Sequence, residues 1–153
     1  MSDTVLVRAV SAQDFEAWRA LWDGYNTFYG RHGPTALADE ITRTTWSRFF
    51  DGYEPVNALV AELQGRLVGL AHCIFHRSTI LIAPTCYLQD LYTSEAARGR
   101  GVGRALIEAV YAKAAAAGSP RVYWLTHESN HTAMHLYDQV AERSGFLQYR
   151  KML

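Results

Sequence analysis

The chain has 153 residues, 49% hydrophobic and 20% charged, with fifteen Lys and Arg against fifteen Asp and Glu. That size fits one domain spanning 1–153, able to bury roughly 70% of its unfolded surface, and the composition excludes a disordered chain. With no net charge there is no bulk field for nucleic acid or an anionic membrane, so charge-driven binding has to be local.

"MSDTVLVRAV" carries an apolar run too short for a signal peptide or a membrane span. The two cysteines, Cys73 and Cys86, lie in strand-like apolar runs and read as buried thiols. A cytoplasmic protein is expected. Residues 4–10 read as a strand, and Ser11 with Asp14 three places on forms a capping-box pattern that opens a helix. Phe15, Trp18, Trp22, Tyr25 and Tyr29 recur at helical spacing and share one face. Pro34 is predicted to open a second helix with Leu37, Ile41 and Thr45 on one side.

"NALVAELQGRLVGLAHCIFH" reads as two strands joined by a tight turn at Gln64 and Gly65. "TCYLQDLYT", residues 85–93, is a further strand. The next helix carries Leu106, Ala109, Val110, Lys113 and Ala117 as its apolar stripe and stops at Gly118. "RVYWLT" is another strand. A last helix near Ser129 and Asn130 presents Ala133, Leu136, Tyr137, Val140 and Ala141, and "FLQYRKML" is expected to close the chain as a strand. The order β-α-α-β-β-β-α-β-α-β predicts an α/β chain with a mixed sheet covered by helices.

The most informative stretch is "RGRGVGRAL", residues 98–106, three glycines and three arginines at the mouth of a helix. Glycine admits positive φ and close approach of backbone N–H groups, a helix start favours anions, and guanidinium groups fork onto phosphate oxygens. The spacing of Gly99, Gly101 and Gly103 is wrong for a dinucleotide fingerprint, and the Gly-Lys-Ser/Thr of a P-loop is absent. What remains is an anion-binding turn or, as the plainer reading, an arginine-rich, solvated helix start.

That turn matches the R/Q-x-x-G-x-G/A pattern of the GNAT superfamily of N-acetyltransferases, which the chain resembles over nearly its whole length. "LQDLYTSEAARGRGVGRAL" is similar to that family's fourth strand and coenzyme A loop, and "RVYWLTHESNHTAMHLYDQVAERSGF" to its fifth strand and following helix. The motifs are nearest to the yeast histone/polyamine acetyltransferase type and, more distantly, to diamine acetyltransferases. The resemblance implies a mostly antiparallel sheet, splayed between its fourth and fifth strands and flanked by about four helices.

It also implies acetyl-CoA as co-substrate. Leu91, Tyr92 and Thr93 would pair with the pantetheine arm through their backbones. Arg98, Gly99, Arg100, Gly101, Val102, Gly103 and Arg104 would hold the pyrophosphate, and Asn130 would meet the pantetheine amide. A backbone N–H near Leu91 would face the thioester oxygen, an interaction worth about 3 kcal/mol in the tetrahedral state. Tyr137 matches the family's general acid, although its place on the apolar stripe also suits core packing. Diamine acetyltransferases carry a glutamate where this chain has Gln89, which takes no proton at neutral pH, so Asp90 or Glu128 is left as base or as holder of the cationic amine.

His131 and His135 stand four apart with His127 nearby, but Asp138 and Glu142 share their stripe, which reads as a solvated helix face; no metal is expected. Trp22, Tyr25, Phe28 and Tyr29 occupy the region where the family builds its acceptor pocket and could wall an amine. A small amine, polyamine or amino acid is favoured as acceptor, with no nucleic-acid or membrane partner. Protein or histone lysine acetylation and a non-catalytic acetyl-CoA-binding regulatory module are the alternatives. The last segment resembles elements used at dimer interfaces, so a homodimer is expected.

Overall fold

A computed structural model describes residues 3–153. The elements are β1 (Leu6–Ala9), α1 (Phe15–Phe28), α2 (Asp39–Arg48), β2 (Val56–Leu63), β3 (Arg66–His76), β4 (Thr85–Thr93), α3 (Val102–Ala116), β5 (Val122–Tyr123) and α4 (His131–Val140). One sheet runs in the order β1-β2-β3-β4-β5, antiparallel through β4, with β5 parallel to β4. No helix among the described residues is long and apolar enough to cross a membrane.

Local chemistry explains most of these elements. The Asp14 carboxylate accepts a bond from the Ser11 backbone N–H at 2.7 Å, closing the capping box before α1. Arg8 beside it holds that carboxyl down to about 2. Gln64 and Gly65 take φ of 53° and 74°, as a two-residue hairpin of the type I′ form requires.

The sheet buries a different cluster on each face. On one, Leu59, Ala71, Cys73, Cys86 and Leu88 pack against Val102, Leu106, Ile107 and Val110 of α3, with Leu136, Tyr137 and Val140 of α4 alongside. On the other, Val60 and Leu70 pack against Trp18, Leu21, Trp22 and Tyr25 of α1, with Trp46 and Phe49 beyond. Each such large side chain removed from water contributes about 1.5–3 kcal/mol.

Four expectations need correction. Pro34 lies in a short helical turn at Gly33–Thr35, and extended backbone at Ala36 and Ala38 delays α2 to Asp39. The inner face of α2 is therefore Thr42 and Trp46, and Ile41 is exposed. α3 buries Val102, Leu106, Ile107, Val110 and Ala114, whereas Lys113 is only half-buried and Ala117 is exposed. Only Val122 and Tyr123 of "RVYWLT" join the sheet. Finally, 146–153 forms no strand: Phe146, Leu147, Tyr149, Met152 and Leu153 are each at least 80% exposed. Within this chain β5 is one of the two sheet edges, and the tail does not lie on it.

Candidate active site

β4 and β5 pair only at Cys86 with Val122 and Tyr87 with Tyr123. Beyond that rung the strands part. The cleft between them is lined by Leu88, Gln89 and Leu91 from β4, Trp124, Leu125 and Thr126 after β5, Tyr25 and Tyr29 from α1, and Tyr137 from α4.

A bulge aims the polar groups there. On β3, Cys73 faces Leu88 and His72 faces Asp90, so Gln89 is the extra residue. Before the bulge, Cys86 and Leu88 point to the α3 cluster; after it, that row passes to Leu91. Asp90 would otherwise share the row of Cys86 and Leu88. The inserted residue turns it instead to the α1 face, alongside Tyr92.

On that face Asp90 meets a buried polar chain. The Trp18 indole N–H donates to His72 Nε2 at 3.0 Å, and His72 Nδ1 stands 2.9 Å from Asp90 Oδ2. An indole nitrogen only donates, so Nε2 must accept, and the imidazole is neutral with its proton on Nδ1, pointed at the carboxylate. Trp22 and Phe49 pack on the same imidazole, with ring centroids at 5.1 and 4.9 Å. Asp90 is 8% exposed and stays behind the cleft wall, where the Tyr25 hydroxyl faces it. Burial first, then the Asp90 charge, push the Tyr25 phenol up. Burial pushes the Tyr137 phenol up to about 12, and Trp124 contacts its ring edge-on at 5.3 Å.

Beyond the end of β4 the chain makes its glycine turn. Gly99 and Gly101 take φ of 78° and 79°, and Gly101 is the left-handed residue that starts α3. A Cβ at either would meet nothing within 4 Å, so the surface there is open backbone. Arg98 reaches the Thr93 carbonyl at 3.4 Å, Arg100 is exposed, and Arg104 bonds to Gln139 of α4. Donors of this kind suit a diphosphate.

The sequence matches the model of the Acetyltransferase (GNAT) family over residues 17–141. This chain belongs to the GNAT acetyltransferase family. It is 37% identical over 153 residues to the D-amino-acid N-acetyltransferase HPA3 of Saccharomyces cerevisiae, covering 99% of this chain and 92% of that one. Among solved structures, the aminoglycoside acetyltransferase AAC(6')-Iy in complex with a bisubstrate analogue of coenzyme A superposes with a TM-score of 0.81 at 17% identity, covering 98% of this chain and 99% of that one. The ribosomal-protein-alanine N-acetyltransferase of Brucella melitensis gives 0.78 at 18% identity, with 98% and 100% covered. These structures share the fold. The chain is an N-acetyltransferase of a family that uses acetyl-CoA.

Within that GNAT frame the predicted residues divide. Tyr25, Tyr29, Gln89, Leu91 and Tyr137 meet at the cleft, with Asp90 directly behind. Thr93 leads into the glycine turn and Asn130 caps α4, its amide 3.5 Å from Thr126 Oγ1. The Tyr92 ring turns away to Tyr25 and α1, and the Val102 side chain is core. Trp22 does not wall the cleft: it is 7% exposed, and its indole bonds to Thr42 at 3.3 Å. Phe28 is exposed beyond the lining, and Glu128 is exposed on the turn before α4. His131 and His135 are exposed on α4.

Sequence reasoning missed His72 and Trp18 as polar partners. The available signal was His72 standing inside the apolar run "GLAHCIF", in the row of Leu70 that faces α1.

Proposed function

We propose that this GNAT enzyme acetylates a small amine by direct transfer from acetyl-CoA, with D-amino acids as the acceptor class. The observation that carries the reading is the cleft between the parted strands, where three tyrosines converge in front of a buried carboxylate. The 37% identical relative, a D-amino-acid N-acetyltransferase, supports the acceptor class.

Acetyl-CoA supplies the acetyl group activated as a thioester. The turn from Arg98 to Gly103 holds its diphosphate with backbone N–H groups and guanidinium charge, and Arg104 adds a further cation. The backbone of Leu91, Tyr92 and Thr93, with Asn130, holds the pantetheine arm. A backbone N–H near Leu91 meets the carbonyl oxygen as it becomes anionic. The amine nitrogen bonds to the acetyl carbon as the carbon–sulfur bond breaks. The ammonium form of the acceptor first loses one proton to Tyr25 Oη, which passes its own to Asp90, and the proton shed after attack replaces the one that Tyr137 gives up. Because burial and Asp90 disfavour its phenolate, Tyr25 exchanges the two protons together. Tyr137 Oη gives its proton to the departing sulfur, and burial keeps that proton in place at neutral pH. His72, oriented by Trp18, keeps its Nδ1–H on Asp90 and fixes the carboxylate's position.

Steady-state acetylation of D-amino acids, their L-enantiomers, polyamines and a histone-tail peptide tests this reading. Turnover of the D-amino acids is expected. Binding of acetyl-CoA with no acceptor turned over would make the chain a regulatory module instead.

We further infer a homodimer in the cytoplasm. Cys73 and Cys86 are free thiols, which suits a reducing compartment. The apolar tail at 146–153 and the sheet edge at β5 are both surfaces a second copy would cover. Light scattering at micromolar concentration is expected to give twice the chain mass; a monomer overturns the dimer.

A further inference from the structure

Arg31 leaves the end of α1 in the turn "YGRHGP", which the sequence marks only as a helix break. Its side chain is nonetheless held. Arg31 Nε donates to Asn26 Oδ1 at 2.7 Å, and its backbone N–H donates to the Asn26 carbonyl at 2.8 Å. Asn26 is itself 3% exposed, with its amide nitrogen fixed on the Trp22 carbonyl at 2.9 Å. A buried amide whose nitrogen is committed to the helix can only turn its oxygen outward, and that oxygen fixes the guanidinium.

So held, the guanidinium lies over the rings of Tyr25 and Tyr29, 5.8 and 5.5 Å from their centroids. Both tyrosines line the cleft. With Nε committed, the four N–H bonds of Nη1 and Nη2 remain, and Arg31 takes part in none of the ion pairs among the described residues. Arg31 lies over both rings, and the Asp90 carboxylate and the Arg31 guanidinium act on the two phenols with opposite sign, so both tyrosines are within reach of a buried negative charge and a held positive one. A zwitterion with ammonium and carboxylate on one carbon matches that polarity. A simple amine uses only half of it.

We propose that Arg31 binds the carboxylate of the acceptor and makes the cleft select α-amino acids over amines that lack the carboxylate. The inference rests on the reading above that the acceptor is a small amine taken up at this cleft. A guanidinium offers a carboxylate two parallel N–H bonds, with its fork already oriented by Asn26.

The test compares D-phenylalanine with 2-phenylethylamine, the same side chain without the carboxylate, in the full-length enzyme. Wild type is expected to favour D-phenylalanine in kcat/KM. Arg31→Gln should reduce that preference ten-fold or more, mainly through a higher KM for D-phenylalanine. Arg31→Lys should fall between the two, since it keeps the charge but loses the fork and the Asn26 bond. Equal losses on both substrates, or a preference unchanged by Arg31→Gln, overturn the proposal. A wild type that acetylates 2-phenylethylamine with no preference for D-phenylalanine overturns the carboxylate clamp and leaves acetyl transfer to small amines standing. Turnover of neither overturns both.

Discussion

The glycine turn and the cleft are built from different material. The proposed cofactor site is backbone from one continuous stretch, 98–103, where left-handed Gly99 and Gly101 have nothing within 4 Å of an added Cβ at the start of α3. The proposed acceptor site rests on four polar side chains, Trp18, Tyr25, His72 and Asp90, brought from three elements into one buried row. A backbone site tolerates changes in its neighbours but not a side chain in its path. A buried side-chain row is the reverse: each member depends on the next, because an unpartnered polar group in a core is costly.

The largest effect that could break this contrast is Gly101→Glu. It forces a side chain into φ +79° and puts a carboxylate where the diphosphate belongs. At a hundredfold excess over Kd, acetyl-CoA adds about 2.7 kcal/mol of stability, or roughly 5–10 °C in Tm for a chain of this size. The variant should show no such rise and no turnover, while an intact rise would remove the cofactor from this turn.

Tyr137→Phe comes next, because the proposed acid lines the cleft itself. It keeps the ring and its contact with Trp124 and deletes one hydroxyl. A fall in kcat of about 10²-fold is expected, with acetyl-CoA affinity and Tm little changed. The donor must be protonated to act, and burial favours the neutral phenol up to about 12. Activity should therefore not decline as pH rises through 10, the ordinary tyrosine value. An unimpaired Phe variant would make Tyr137 a packing residue.

His72→Leu probes the side-chain row. It strips the Trp18 indole and the Asp90 carboxylate of a partner, and each loss costs about 1–3 kcal/mol. A Tm lower by roughly 4–20 °C is expected, with kcat falling too. His72→Asn, whose amide N–H falls near Nδ1, should recover part of kcat. Equal kcat in the Leu and Asn variants would reduce the row to packing.

The smallest effect sharpens the contrast from outside it. Deleting 146–153 removes exposed chain from the single protomer, so protomer stability should move by less than about 0.5 kcal/mol. The mass seen by light scattering should nevertheless fall to that of one chain. A large change in the melt at protein concentrations too low for association would mean that the tail packs within its own protomer.

The legibility of the chain in its sequence follows the same division. β4 and the glycine turn fall where local signals put them, since alternation, glycine and a helix start act over a few residues. The α2 stripe was misplaced because a fourfold spacing from Pro34 fits Leu37 and Ile41, whereas the sheet chose Thr42 and Trp46. Asp90 was legible as a candidate base. Its orientation was not, because the parity of a strand is reset by the bulge at Gln89, which only pairing with β3 reveals.

The sequence by itself determined the order of elements through α4, the open glycine turn and the family, each written in neighbouring residues or in a motif carried along the chain. Tertiary structure decided three things: that "FLQYRKML" stays off its own sheet, that Trp22 is core, and that Trp18 and His72 stand behind Asp90. The physical reason is reach. Backbone conformation is set by a residue and its few neighbours, but a hydrogen bond between residues 54 apart exists only once two faces have packed.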